Sequence, residues 1–209
     1  LEVVDKPPGL PVVAGRDGGD CVADQVGLSV THRLDEGTSG CLVLARTPEA
    51  LSRVNGLFAA GKVRKTYWAL VEGGPAEVEG RIDLPLGKLD DNIGWWMKHD
   101  PNGLPSQTTW KVMGRAGGKT WLALEPITGR THQLRVHCSE MGWPIVGDAI
   151  YGNAPRHGGP PMHLHARAIE VPLYKNKAPV KAVAPVPAHM RELLKACGWN
   201  GEEKSAPAA

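Results

Sequence analysis

The sequence predicts an α+β fold with a mostly antiparallel sheet, and three observations carry that expectation. Gly (26) and Pro (18) together make about a fifth of the 209 residues, which favours many turns and short elements over a long-helix bundle. The alternating segments QTTWKVMG and KTWLALEP flank the turn RAGGK and read as a hairpin. Helical spacing is confined to short stretches, each bounded by turn formers.

The elements follow in chain order. Glu2-Val3-Val4-Asp5 is a strand running into the stiff turn KPPGLP, and the Gly-rich stretch 14–20 is a surface loop. HRLDEGTSG (32–40) is turn-forming and gives way to CLVLA (41–45), a buried strand. Thr47-Pro48 starts a helix, N-cap then Pro, with Leu51, Val54 and Phe58 as its apolar stripe and Gly61 as its stop. KTYWALVEG (65–73) is a strand with Tyr67, Ala69 and Val71 on one face and Trp68 and Leu70 on the other. Residues 73–106 read as a loop-heavy insertion with one brief strand at 81–84 and the Trp95-Trp96 pair. After the hairpin, ITGRTHQLRVHCSEMG turns helical, with Leu134, His137, Cys138 and Met141 along one stripe. HLHARAIEV (163–171) is a strand, 188–197 a helix stopped by Gly198, and 201–209 a frayed tail.

Composition excludes several classes. Hydrophobic residues at 42% and charged residues at 22% are ordinary globular values, which rules out wholesale disorder. No apolar run approaches a membrane span, no basic-then-apolar signal segment opens the sequence, and the first residue is Leu rather than Met. Four cysteines (Cys21, Cys41, Cys138, Cys197) lie far apart without C-x-x-C, the pattern of reduced thiols in a cytoplasmic protein. The net charge of +2 conceals grouping: −3 over residues 1–30, +3 over 31–70, −4 over 71–100, then +3 over 101–140 and +3 over 141–209. Such counts fluctuate by chance; they also suit a positive face turned toward phosphates.

Asp35 heads the residues with chemical potential. It follows Arg33 by two positions in a polar turn before a buried strand, where a neighbouring guanidinium would keep a carboxylate ionised and nucleophilic. On local pattern alone, an Asp that caps its own loop is the simpler account. HRLD lacks the spacing of the kinase H-R-D, and neither a Gly-rich phosphate loop nor D-F-G accompanies it. His132 and His137 are five apart and do not share a helix face, and His163 and His165 share a strand face without a third ligand. Hydrogen-bonding histidines are the better account of both pairs, and no metal is expected. Arg130, near a helix start, and Arg135 within it can bind phosphate or a carboxylate, or simply face solvent. Tyr67 by itself reads as a packed strand aromatic, and Trp95-Trp96 serve equally as a base-stacking pair or a loop anchor.

Taken together, HRLDEGTSG, KTYWALV, ITGRTHQLRVH and GWPIVGDAIYG resemble the RluA-type family of pseudouridine synthases, as do VVDKPPGL and HLHARAIEV. The resemblance runs from about residue 2 to 172 in the family's own order. No S4-type RNA-binding module, which some members carry, is found in the sequence. The resemblance implies a pseudouridine synthase fold: a mostly antiparallel mixed sheet flanked by helices and long loops, with an active-site cleft across the sheet. Residues 1–200 are then one catalytic domain of two lobes sharing one sheet, followed by a flexible tail at 201–209.

It implies that uridine in RNA is isomerised to pseudouridine: the C1′–N1 bond breaks, the uracil turns in place, and C5 joins C1′. Asp35 matches the family's essential aspartate, which either attacks C1′ or removes a ribose proton. Tyr67 matches the tyrosine packed against the target base, and Arg135 the arginine that pairs with the aspartate. Arg33 matches the residue that fills the space left by the flipped uridine, and Arg130 and His132 are expected to join it in binding RNA. A base cannot turn inside a stack, so it must be extruded at a cost of about a few kcal/mol, offset by protein contacts. No cofactor is implied. The expected partner is looped or single-stranded ribosomal RNA or tRNA, met by a monomer with no membrane association. Replacing Arg135 with Ala is expected to cost activity far more than stability. Two rivals remain: a catalytically silent RNA-binding protein on the same fold, and a metal-dependent hydrolase built on the histidine pairs.

Overall fold

The structure is a computed structural model that describes residues 1–15, 18–90 and 96–202. Trp95, part of the 14–20 loop and most of the expected tail lie outside the described residues. The strands are β1 (Glu2–Lys6), β2 (Ser29–Val30), β3 (Ser39–Ala45), β4 (Arg64–Glu72), β5 (Glu79–Asp83), β6 (Leu86–Lys88), β7 (Met97–His99), β8 (Gln107–Ala116), β9 (Lys119–Pro126), β10 (Leu164–Val171) and β11 (Val180–Val183). The helices are α1 (Val22–Val26), α2 (Pro48–Ala59), α3 (Gln133–Glu140) and α4 (Ala188–Ala196). The fold is α+β and largely antiparallel, as the turn-rich composition predicts. No helix among the described residues is long and apolar enough to cross a membrane. The chain divides into two compact units, one built from Leu1–Thr66 with His165–Pro187 and the other from Tyr67–Leu164 with Ala188–Gly201.

In the first unit β3 is central, antiparallel to β1 and β2 and parallel to β10, which in turn carries β11. Every residue of β3 is buried, so its apolar run needs no alternation. Gly40 (φ 106°) lies where a Cβ would sit 2.3 Å from the Ala166 carbonyl oxygen, so only glycine permits this approach of β3 to β10. Helix α2 begins and ends as its sequence predicts. Thr47 accepts a hydrogen bond from the Ala50 N–H, and beyond Ala60 the chain turns through Gly61 (φ 64°). The Gly61 N–H then bonds the Phe58 carbonyl and the Lys62 N–H bonds that of Leu57, closing a Schellman motif. Five-residue α1 shows too little periodicity to stand out in the sequence.

In the second unit β4, β9, β8 and β5 form an antiparallel succession. The β8–β9 hairpin turns on Gly117 (φ 56°) and Gly118 (φ 71°), both left-handed as a type I′ turn requires. Tyr67, Ala69 and Val71 of β4 face a core that includes Leu122, Leu124, Leu134, Trp143 and Ile145, in the predicted register. On the other face Trp68 meets Trp121 and Trp199 edge-on, which accounts for three of the seven tryptophans.

Three expectations change here. Region 73–106 holds more structure than one strand: besides β5, the three-residue strands β6 and β7 pair as a separate sheet. Strands that short cannot display an alternation among Gly, Pro and Asp. Met141 is not on the buried stripe of α3 but is its C-cap, 44% exposed, while every residue from Gln133 to Cys138 is buried. His163 precedes β10 rather than opening it, and its backbone instead bonds Val146 and Leu70.

Candidate active site

In the first unit the turn bearing Asp35 is secured through its backbone. The Thr38 N–H donates to the Asp35 carbonyl at 3.0 Å, and the Gly9 N–H to that of Glu36 at 2.8 Å. Lys6 supplies the rest. Its side chain is buried, and Nζ donates to the carbonyls of Pro7 (2.9 Å), Leu10 (2.7 Å) and Glu36 (3.0 Å). One ammonium therefore ties the KPPGL turn to the Asp35 turn. Burial draws the Lys6 pKa down to about 8, with the Glu36 and Asp35 carboxylates pulling the other way. Leu34 is buried, Asp35 is half-buried and Arg33 is exposed, so the alternation of this short segment presents Arg33 to solvent. Beneath the turn, Ser39 Oγ and His165 Nδ1 share a 2.8 Å hydrogen bond.

In the second unit Arg135 lies on α3, buried, and forms a bidentate pair with Asp148: Nε donates to Oδ2 at 2.7 Å and Nη2 to Oδ1 at 2.9 Å. Asp148 Oδ1 also accepts from the N–H groups of Ile150 (2.9 Å) and Tyr151 (3.0 Å). Burial pushes the Asp148 carboxyl up, but Arg135 and the two backbone N–H groups pull harder, and the net shift is downward. The Tyr151 ring lies 5.0 Å from the Arg135 guanidinium carbon. Its hydroxyl accepts from the Met97 N–H at 2.9 Å and shares a 2.7 Å hydrogen bond with His132 Nδ1.

The loop that leads into α3 is set by Gln133. Its Oε1 accepts from the Arg130 N–H (3.0 Å) and Thr128 Oγ1 (2.7 Å), and its Nε2 donates to the Gln107 carbonyl and Thr108 Oγ1. His132 takes a left-handed conformation (φ 53°) at the N-cap, which turns its ring toward Tyr151 rather than along the helix. Arg130 precedes the helix by three residues, near its start as expected, and its Nε donates to the Pro105 carbonyl at 3.2 Å.

Among the sequence candidates, then, Arg33 and Asp35 belong to the first unit, and Tyr67, Arg130, His132 and Arg135 to the second. Within the second, Tyr151 brings His132 and Arg135 together. Sequence reasoning passed over Lys6, Gln133, Asp148 and Tyr151. Asp148 and Tyr151 stand inside a quoted motif, GWPIVGDAIYG, whose Asp after Gly is the signal of a side-chain-capped turn.

Three further histidines make hydrogen bonds: His137 Nδ1 with Thr108 Oγ1 (2.9 Å), His163 Nδ1 with the Pro161 carbonyl (2.8 Å), and His189 Nε2 with the Met162 carbonyl (3.1 Å). Burial lowers the pKa of all three, so each is held as neutral imidazole at neutral pH.

Solved structures set the class. The fold matches that of human RNA pseudouridylate synthase domain containing 1, with TM-score 0.75 and 29% identity over 88% of this chain and 79% of the other. The sequence comparisons go further. Residues 1–140 match the model of the RNA pseudouridylate synthase family. An uncharacterized RNA pseudouridine synthase of Zymomonas mobilis is 41% identical over 202 residues, 91% of this chain and 92% of its own. The dual-specificity RNA pseudouridine synthase RluA of Escherichia coli is 37% identical over 195 residues, 88% of this chain and 89% of its own. The chain belongs to the RNA pseudouridylate synthase family, isomerases that act on RNA.

Proposed function

We propose that Asp35, Tyr67 and Arg135 carry out the isomerisation on one extruded uridine of ribosomal RNA or tRNA, without metal or cofactor. Asp35 supplies the carboxylate, as nucleophile at C1′ or as base toward the ribose. Tyr67 packs against the uracil and assists loss of the C5 proton. Arg135 supplies the guanidinium that the family's motif assigns to the Asp35 carboxylate. Arg33 enters the space the base vacates, and Arg130 and His132 bind the RNA around it. The reaction balances internally: C1′–N1 breaks, C1′–C5 forms, and the proton lost from C5 is matched by one gained at N1. We further propose that residues 1–200 act as one catalytic domain, as a monomer in the cytoplasm.

The observation that most favours this reading is the Asp35 turn. Its backbone is tied down by Lys6, Gly9 and Thr38, while Asp35 itself stays half-buried and its neighbour Arg33 exposed. A carboxylate on a turn fixed through its main chain is preorganised for a substrate that must be swung into place.

The test is Asp35→Asn. Total RNA from cells lacking this gene, incubated with the purified wild-type protein, is expected to gain pseudouridine at a mapped site. The variant is expected to form none above background while keeping RNA binding and the wild-type unfolding transition. A variant with full activity would refute the assignment, and a wild type that binds RNA without modifying it would mark a silent relative.

A further inference from the structure

The motif GWPIVGDAIYG has no part in the chemistry above, yet it supplies a connected polar cluster in the second unit. We infer that Asp148 and Tyr151 are positioning residues that hold the Arg135 guanidinium in a single orientation for the isomerisation. This rests on the role proposed for Arg135.

An arginine side chain has several rotatable bonds, and a guanidinium left to turn would spend little time in any one pose. Here its freedom is removed in stages. The two bonds to Asp148 run from adjacent N–H groups to both carboxylate oxygens, which fixes the guanidinium plane. Asp148 is in turn prevented from rotating, because Oδ1 accepts from the Ile150 and Tyr151 N–H groups. The Tyr151 ring covers a face of the guanidinium. Tyr151 is pinned at both ends, its hydroxyl by Met97 and His132 and its carbonyl by Ser139 Oγ at 2.6 Å.

The backbone around the motif has the same strictness. A Cβ on Gly147 (φ 81°) would stand 2.3 Å from the Pro161 carbonyl oxygen, and one on Gly152 2.7 Å from that of Asp148. Both ends of the Asp148–Tyr151 turn are therefore seated where only glycine fits. A buried ion pair is a poor source of stability, since an apolar pair of similar volume often serves as well. What an apolar pair cannot do is aim a guanidinium.

The experiment measures single-turnover pseudouridine formation, with enzyme in excess over total RNA from cells lacking this gene, per folded molecule. Asp148→Asn is expected to lower the rate by about 100-fold, the scale of a misplacement of about 1 Å, with the half-saturating RNA concentration unchanged. Combined with Arg135→Lys, it is expected to add nothing, because both changes disable one device. Losses that multiply in the double variant, or a rate per folded molecule equal to wild type, would overturn the inference.

Tyr151→Phe keeps the ring and removes only the hydroxyl, and it decides the matter if Asp148→Asn does not fold. A fall of about 10-fold that disappears in the Arg135→Lys background supports positioning, and an unchanged rate overturns it. Failure of the underlying reading looks different. Arg135→Lys would then retain the wild-type rate whatever Asp148 does.

Discussion

The Asp35 turn and the Arg135 helix both hold a charged side chain in place, but with different bonds. Around Asp35 the restraints run through the main chain: Lys6 Nζ to three carbonyls, Gly9 N–H to Glu36, Thr38 N–H to Asp35. Around Arg135 the restraint is the guanidinium itself, paired with Asp148 and stacked on Tyr151. In the first arrangement the bonds that shape the turn are those of main-chain groups and the Lys6 ammonium, so scaffold and chemical group are different atoms. The second merges them. Arg135 is at once a candidate catalytic group and a structural partner, so its substitution is read differently.

The largest effect that would test this contrast is on stability. Arg135→Ala leaves the Asp148 carboxylate buried without its cation, a loss of about 3–5 kcal/mol on the scale of broken buried pairs. This sets a structural cost beside the expectation from sequence that the substitution costs activity far more than stability. Urea unfolding should therefore show Arg135→Ala strongly destabilised and Asp35→Asn close to wild type. Equal stability of Arg135→Ala and wild type would break the contrast, since the Asp148 pair would then carry no structural weight.

A somewhat smaller effect belongs to the first unit. Lys6→Met keeps the side-chain length and removes the ammonium. The carbonyls of Pro7 and Leu10 then lose this donor, whereas that of Glu36 still accepts from Gly9. At about 1–3 kcal/mol for each partly buried group left unsatisfied, the variant should lose on the order of 3 kcal/mol. Its activity should fall with the folded fraction, as measured by pseudouridine formation against thermal unfolding. Activity retained in full beside a lost unfolding free energy would show that the turn keeps its shape without the ammonium.

These same groups show what a single sequence discloses. The hairpin was legible because Gly117-Gly118 meets the backbone demand of a type I′ turn by itself, and α2 because Thr47, Pro48 and Gly61 act within a few residues of its ends. As candidates, Asp35, Tyr67 and Arg135 stand out through the family's motifs and not through local pattern, which makes each of them equally a cap, a core aromatic or a surface arginine. The partners were not legible. Nothing in the chain joins Lys6 to the Glu36 carbonyl 30 residues on, or Arg135 to Asp148 across 13, until folding brings them together. Strands β6 and β7 were missed for a different reason, since three residues are too few to show a period.

The smallest effect concerns acid. In the first unit His32 stacks on Phe58 at 4.7 Å, and its Nε2 accepts from the Val43 N–H at 2.9 Å, a bond that only neutral imidazole can make. Burial, and after it the charge of Lys65, draws the His32 pKa down to about 4. Between about pH 6.5 and 4 the unfolded chain takes up a proton that the folded chain refuses, so this contribution to stability is present at neutral pH and shrinks as pH falls. His137, His163 and His189 act in the same direction from the second unit, so the acid slope of the wild type is a sum. His32→Gln isolates one part of it, because an amide oxygen can replace the acceptor for Val43 without titrating. The stability advantage of wild type over this variant should narrow by about 2.5 kcal/mol between pH 7.5 and 4.5, measured by urea midpoints at each pH. A difference that stays constant across that range would mean that His32 is protonated as easily folded as unfolded, and that the Val43 bond does not hold it neutral.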